Sequence, residues 1–138
     1  MAPRPRAGRR IGGDVELRGR RFGGGNLTLA LLLKRRDAGR ALPQAAVALS
    51  PATDLTWQSP SIQERADRDP ILRPARIPLV VQAYLQGKAA PTDPYVSPLY
   101  GDFRGLPPLL LQTGEAEILY DDSYGVKDRL PRRYLILR

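Results

Sequence analysis

Two short apolar runs, Ala45–Leu49 (AAVAL) and Leu109–Gln112 (LLLQ), constrain the fold of this chain more than any other feature. Each is continuous rather than alternating. Ser50-Pro51 ends the first, and Pro107-Pro108 and Gly114 bracket the second. A strand with apolar residues at consecutive positions is apolar on both faces, as in a parallel sheet covered by helices. Parallel neighbours cannot be joined by a hairpin, and the long proline-rich stretch between the runs has the length of a crossover.

Ahead of the first run, Asn26 and the following LTLALLLKRRDAG predict a helix over 26–38. Asn26 suits an N-cap, Lys34, Arg35 and Arg36 suit the negative end of the helix dipole, and Gly39 suits the C′ stop. Leu27, Leu29, Ala30, Leu31, Leu32 and Leu33 make the helix apolar nearly all round, which predicts burial on more than one side. A second helix is expected from Pro78 to Gln86, stopped by Gly87; Pro74 would start it earlier, but Pro78 interrupts that turn. A third should begin near Asp121, and YLIL at 134–137 reads as a strand. There is no internal repeat. Helix, buried strand, long excursion, buried strand and helix make an α/β fold with a parallel sheet.

Composition removes several chemistries. The chain has 138 residues with no cysteine and no histidine, so disulfides, thiolate zinc sites and imidazole catalysis have no side chain to carry them. Only carboxylate, hydroxyl and carbonyl ligands remain for a metal, and no EF-hand-like loop is present, so neither a metal nor a cofactor is expected. No apolar run approaches the roughly 20 residues of a transmembrane helix, and the Arg-rich start lacks the apolar stretch of an export signal, so a cytoplasmic location is expected. The net charge of +8 sits in the two ends. Residues 1–22 carry seven Arg against Asp14 and Glu16, and 127–138 carry five Lys or Arg against Asp128, whereas the middle is nearly neutral. Clustered charge of this kind allows an alternative reading as a basic module for nucleic acid or anionic surfaces. No aromatic platform or recognition helix accompanies it, so nucleic acid is not the expected partner.

The phrases GGNLTLALLLKRRDAG, AVALSPATDLT, ERADRDPIL and DPYVSPLYGDFRGLPPLLLQTGEAEILYDDS occur in that order. Together they resemble the hormone-sensitive-lipase-like serine esterases, the α/β-hydrolase fold-3 family, from about Gly24 to Ser123. The resemblance implies an incomplete α/β fold, the C-terminal part of an α/β-hydrolase with a parallel sheet flanked by helices. It also implies a small ester as the parent family's substrate; the oligomeric state is left open. Three segments follow: a basic stretch over 1–22, a partial hydrolase domain over 23–126 with a cap-like excursion at 52–90, and a basic tail over 127–138.

In that family a G-D-S-A-G-G-N-L elbow precedes the helix, and its serine sits on a strained strand-to-helix turn. The aligned residues run from Arg20 to Leu27, which puts Phe22 at the nucleophile position and Gly23 at the oxyanion-hole position. A phenyl ring offers no nucleophile. The family's acid follows a later strand in a G-x-x-D/E-x-L pattern, which Gly114, Glu117 and Leu119 fit, so the resemblance maps the acid to Glu117. Its task would be to orient an imidazolium, and neither the family's His nor its H-G-G motif is present. The resemblance therefore implies a carboxylesterase-like hydrolase whose catalytic set is broken here, an inactive fragment or pseudoenzyme. Apart from the resemblance, Glu117 is a solvated loop carboxylate and Trp57 and Tyr84 are ordinary packing residues. Ser50, Ser59, Ser61, Ser97 and Ser123 adjoin prolines or turns and read as turn and cap residues. Gly23–Gly25 lacks the Lys and Ser/Thr of a phosphate loop.

Phe22 also fits a frameshift. The permitted codons CGG CGA TTC GGC GGG for Arg20 to Gly24, read one base later, give Gly-Asp-Ser-Ala-Gly, and loss of one base restores the frame at Gly25. The coding DNA read in that frame should therefore show G-D-S-A-G immediately before Asn26-Leu27. If no frame shows it, Phe22 is a true replacement.

Overall fold

A helix that starts in glycine opens the described structure. The structure is a computed structural model that describes residues 22–130 and the backbone of 134–137. The Arg-rich sequence before Phe22, set apart above within the 1–22 segment, lies outside the described residues. Helix α1 spans Gly23–Asp37, strand β1 Ala46–Leu49, helix α2 Ser61–Glu64 and helix α3 Ile77–Leu85. Strand β2 spans Leu109–Gln112, helix α4 Tyr120–Lys127 and strand β3 Tyr134–Leu137.

The end of α1 is built as its sequence reads. Gly39 takes φ +62°, its N–H donates to Arg36 O at 2.9 Å, and Arg40 N–H donates to Arg35 O at 2.8 Å. These bonds form a Schellman stop beneath the basic last turn of Lys34, Arg35 and Arg36. Its start differs from expectation. The helix begins three residues before Asn26, and Asn26 lies inside it, buried, with Nδ2 donating to Ala52 O at 2.6 Å and Val96 O at 2.7 Å. The side chain that suits an N-cap clamps two loops instead, and Phe22 occupies the cap position.

The three strands are parallel in the order β1-β2-β3, with Ala46 opposite Leu109 and Leu49 opposite Gln112. Residues 134–137, within the segment set apart as a basic tail, pair with β2 from Leu109↔Tyr134 to Gln112↔Leu137. One sheet face carries the core: Leu29 and Leu32 of α1 and Val126 of α4 cluster with Ala46, Ala48, Phe103, Leu109 and Leu111. Each fully buried leucine there contributes about 1.5–3 kcal/mol of transfer free energy.

The opposite face corrects the expectation of strands covered on both sides. Burial alternates along β1, Val47 is exposed, and Leu49 and Leu110 are half-buried. The reason is layering: the core helices α1 and α4 pack on the Ala46, Ala48, Leu109 and Leu111 face. Helix α1 likewise leaves Leu27 and Leu31 exposed rather than burying every side.

The crossover between β1 and β2 is tied down by buried carboxylates that composition alone assigns to solvent. Asp122 is fully buried; its Oδ2 accepts Thr53 N–H at 2.6 Å and Asp54 N–H at 3.1 Å, and its Oδ1 accepts Ser59 Oγ at 2.9 Å. Thr53 Oγ1 donates back to Asp122 O at 2.9 Å. Asp69, also buried, accepts Ile71 and Leu72 N–H through Oδ1 and Ile118 N–H through Oδ2, each at 2.8 Å. The serines do more than turn the chain. Ser61 Oγ donates to Ile118 O, and Ser97 Oγ accepts Leu55 N–H across 42 residues.

Burial holds the Asp122 carboxyl at about 6, well above its ordinary 3.8, against the lowering effect of its Asp54, Ser59 and Thr53 donors. The folded state therefore binds more protons than the unfolded state between those values, and stability should fall as pH rises from about 4 to about 6. Asp122→Asn should remove that slope. Asp122→Ala should cost about 3 kcal/mol or more, because two buried backbone donors lose their partner. Urea denaturation at pH 4.5 and 7 checks both; an unchanged slope in Asp122→Asn would show that another group carries it.

Candidate functional site

Parallel pairing puts the C-terminal ends of β1 and β2 side by side, and the chain turns sharply at that edge. Phe22 stands there. Its N–H donates to Leu49 O, the last carbonyl of β1, at 3.2 Å, and its own carbonyl accepts Asn26 N–H at 3.1 Å. Its backbone angles are φ 57° and ψ −107°. A bulky residue at positive φ is strained by about 1–3 kcal/mol and persists only where its surroundings hold it. Here they do. Asn26 clasps Ala52 O, and a Cβ on Gly25 would lie 2.9 Å from Pro51 Cα and 3.1 Å from Leu49 O. Only glycine lets the first turn of α1 come that close to the end of β1.

Gly23 follows at the first turn of α1, where N–H groups have no acceptor inside the helix and the dipole is positive. It is exposed, and a Cβ there would meet nothing within 4 Å.

Glu117 lies five residues beyond the end of β2, at the same edge as Phe22 and Gly23. Its side chain folds back so that Oε1 accepts Gly114 N–H at 3.1 Å. A Cβ on Gly114 would stand 2.8 Å from that oxygen, which gives the G-x-x-E spacing a steric reason. The other oxygen, Oε2, is buried and accepts no hydrogen bond among the described residues. A buried acceptor without a donor is costly, and such atoms call for an explanation in function or in a missing partner.

The turn carrying Glu117 is held from both sides of the crossover. Asp69 accepts Ile118 N–H, Ser61 Oγ donates to Ile118 O, Asp121 Oδ2 accepts Ser61 N–H, and Arg65 Nε donates to Glu115 O. Sequence reading missed Asp69 and Asp122 as positioning residues. The signal was the phrase ERADRDPIL together with the paired acids of YDDS, but nothing in either phrase shows which distant amides those carboxylates accept.

Beside this edge lies a cavity of about 290 Å³, walled by Phe22, Gly23, Asn26, Leu55, Trp57, Ile118 and Leu119 from the sheet side. Ile71, Leu72, Arg73, Arg76 and four residues of α3 (Ile77, Val80, Val81 and Tyr84) close the other side. Trp57 and Tyr84 thus face a cavity rather than only packing. The structure brings Phe22, Gly23 and the turn after Glu117 to one cavity, which Glu117 reaches through its neighbours Ile118 and Leu119 and does not itself line. The 52–90 excursion supplies most of the outer wall. The described residues contain no cluster of acids suited to a metal ion, and none of their helices is long and apolar enough to cross a membrane.

Comparison with known proteins gives a consistent result. The family described as alpha/beta hydrolase fold matches residues 22–133. An acetyl-hydrolase of Streptomyces hygroscopicus is 43% identical over 111 residues, 80% of this chain and 36% of that protein. An esterase of Acinetobacter venetianus is 38% identical over 106 residues, 77% of this chain and 35% of that protein. Among solved structures, EstE5 superposes with a TM-score of 0.81 at 35% identity, over 85% of this chain and 40% of that one. An esterase from the bacterial hormone-sensitive lipase family does so at 0.80 and 37% identity, over 84% and 40%. The chain spans about a third of the length of the curated relatives it matches.

Proposed function

From the premise that this chain belongs to the hormone-sensitive-lipase-like esterase family of the α/β-hydrolase fold, we propose that it keeps the binding edge of a carboxylic-ester hydrolase around an elbow that cleaves nothing. The observation that carries this reading is Phe22, which holds the strained entry to α1 at φ 57° with a side chain that has no nucleophilic atom. Gly23 stands where the family's oxyanion-hole amide would be. Glu117 stands where its acid would be, and the unpartnered Oε2 is the atom that would accept an imidazole N–H. The 138 residues include no histidine to supply that imidazole.

In the parent mechanism the serine hydroxyl attacks the ester carbonyl while an imidazole takes its proton. The tetrahedral oxyanion is then stabilised by backbone N–H groups that are already oriented toward it. This chain supplies the positions of the oxyanion donor and the acid. It lacks the two groups between which the proton would pass. Retaining the cavity while losing the nucleophile makes ester binding separable from ester cleavage.

The chain should therefore not hydrolyse p-nitrophenyl butyrate above the buffer rate, since loss of a triad serine or histidine costs on the order of 10⁶ in kcat. Phe22→Ser alone should not restore turnover, because no imidazole is present to accept the proton. Turnover by the unaltered chain that a serine-directed phosphonate abolishes would refute the proposal.

A further inference from the structure

We infer that the cavity beside Phe22 binds amphiphilic monocarboxylates, with an apolar tail against Leu55, Trp57, Ile77 and Val80 and the carboxylate at Arg73 and Arg76. The inference rests on the reading that this edge binds without cleaving, and it goes beyond it by naming the ligand class.

The chemistry of the wall sets the class. Almost all of the lining side chains are apolar or aromatic, and the only ionisable groups among them that carry charge at neutral pH are the two guanidiniums. Arg73 immediately precedes and Arg76 ends the short turn Pro74–Arg76 that leads into α3; both are exposed, and no carboxylate lines the cavity. Arg73 donates through Nη1 to the carbonyl of Asp69 at 2.5 Å, which holds its stem in place without neutralising its charge. Neither arginine forms an ion pair among the described residues, although Arg36, Arg65 and Arg104 each do. An apolar chamber whose charged groups are all cationic favours a ligand with one anionic end over a neutral ester or alcohol of equal length. A free acid of this kind is also the acyl product that an ester hydrolase of this fold would release.

Trp57 is the only tryptophan of the chain and lines the cavity, so its fluorescence reports occupancy directly. Octanoate and 1-octanol titrated into the full chain at pH 7 and low ionic strength differ mainly in the charged end. Octanoate should bind about three- to fivefold more tightly, the scale of one partly exposed charge contact, and the preference should shrink in about 1 M salt. Arg76→Gln should reduce the preference, and Arg73→Gln/Arg76→Gln together should abolish it. Unchanged octanol affinity in the double variant would show that its cavity is intact. Equal or tighter binding of octanol to the unaltered chain, failure of both ligands to bind, or an undiminished octanoate preference in the double variant would overturn the inference. An ester assay on the same preparation separates the two proposals. Turnover would refute the non-cleaving elbow, whereas the octanoate preference stands or falls on the titration.

Discussion

The parallel pairing of β1 with β2 is the constraint from which the rest of the structure follows. Parallel strands end at the same edge, so the turn entering α1 and the turn after β2 are brought together without any direct bond between Phe22 and Glu117. The cost is a crossover that must leave the sheet and return. Three aspartates stabilise that return: Asp122 binds the start of the crossover, Asp121 the N-terminus of α2, and Asp69 the backbone of Ile118. Their role is geometric. Each converts a loop amide that would otherwise be buried and unpaired into a fixed point, and together they place the Glu117 turn opposite the elbow.

Where local pattern decides the structure, the sequence was sufficient. Both strands formed at their apolar runs, α3 stopped at the Gln86-Gly87 turn, and Gly39 ended α1 through a Schellman pair. The family resemblance placed Phe22, Gly23 and Glu117, and all three lie at one sheet edge. Errors arose where a tertiary partner outbid a local preference. Asn26 has the chemistry of an N-cap, but two loop carbonyls without donors claimed its amide, and the helix began at Gly23 instead. Asp69 and Asp122 were not singled out, because nothing in their neighbours along the chain reveals the distant amides they accept. The open sheet face at Val47 went unforeseen for a related reason: a continuous apolar run shows what a strand can bury, not which layers are there to bury it.

Phe22 shows how the backbone of a strained turn can be held independently of its side chain. Its positive φ is imposed by Leu49, Asn26 and the close approach of Gly25 to Pro51, none of which depends on the side chain it carries. The phenyl ring contributes packing instead, against the cluster of Ala52, Ile118 and Leu119 that backs the cavity. At this turn the ring thus becomes part of an apolar wall, and Arg73 and Arg76 line the same cavity.

The most direct test of this arrangement is an NOE measurement between the ring protons of Phe22 and the methyl groups of Ala52, Ile118 and Leu119. Phe22 and Phe103 are the only phenylalanines, and Phe103 lies in the other cluster with Leu29 and Leu111, so the two rings are readily distinguished. Cross-peaks from Phe22 to that methyl cluster are predicted, because they require the elbow and the turn after Glu117 to meet at one sheet edge. A Phe22 ring with no contact to those methyls, in a chain whose Phe103 contacts are intact, would contradict the account.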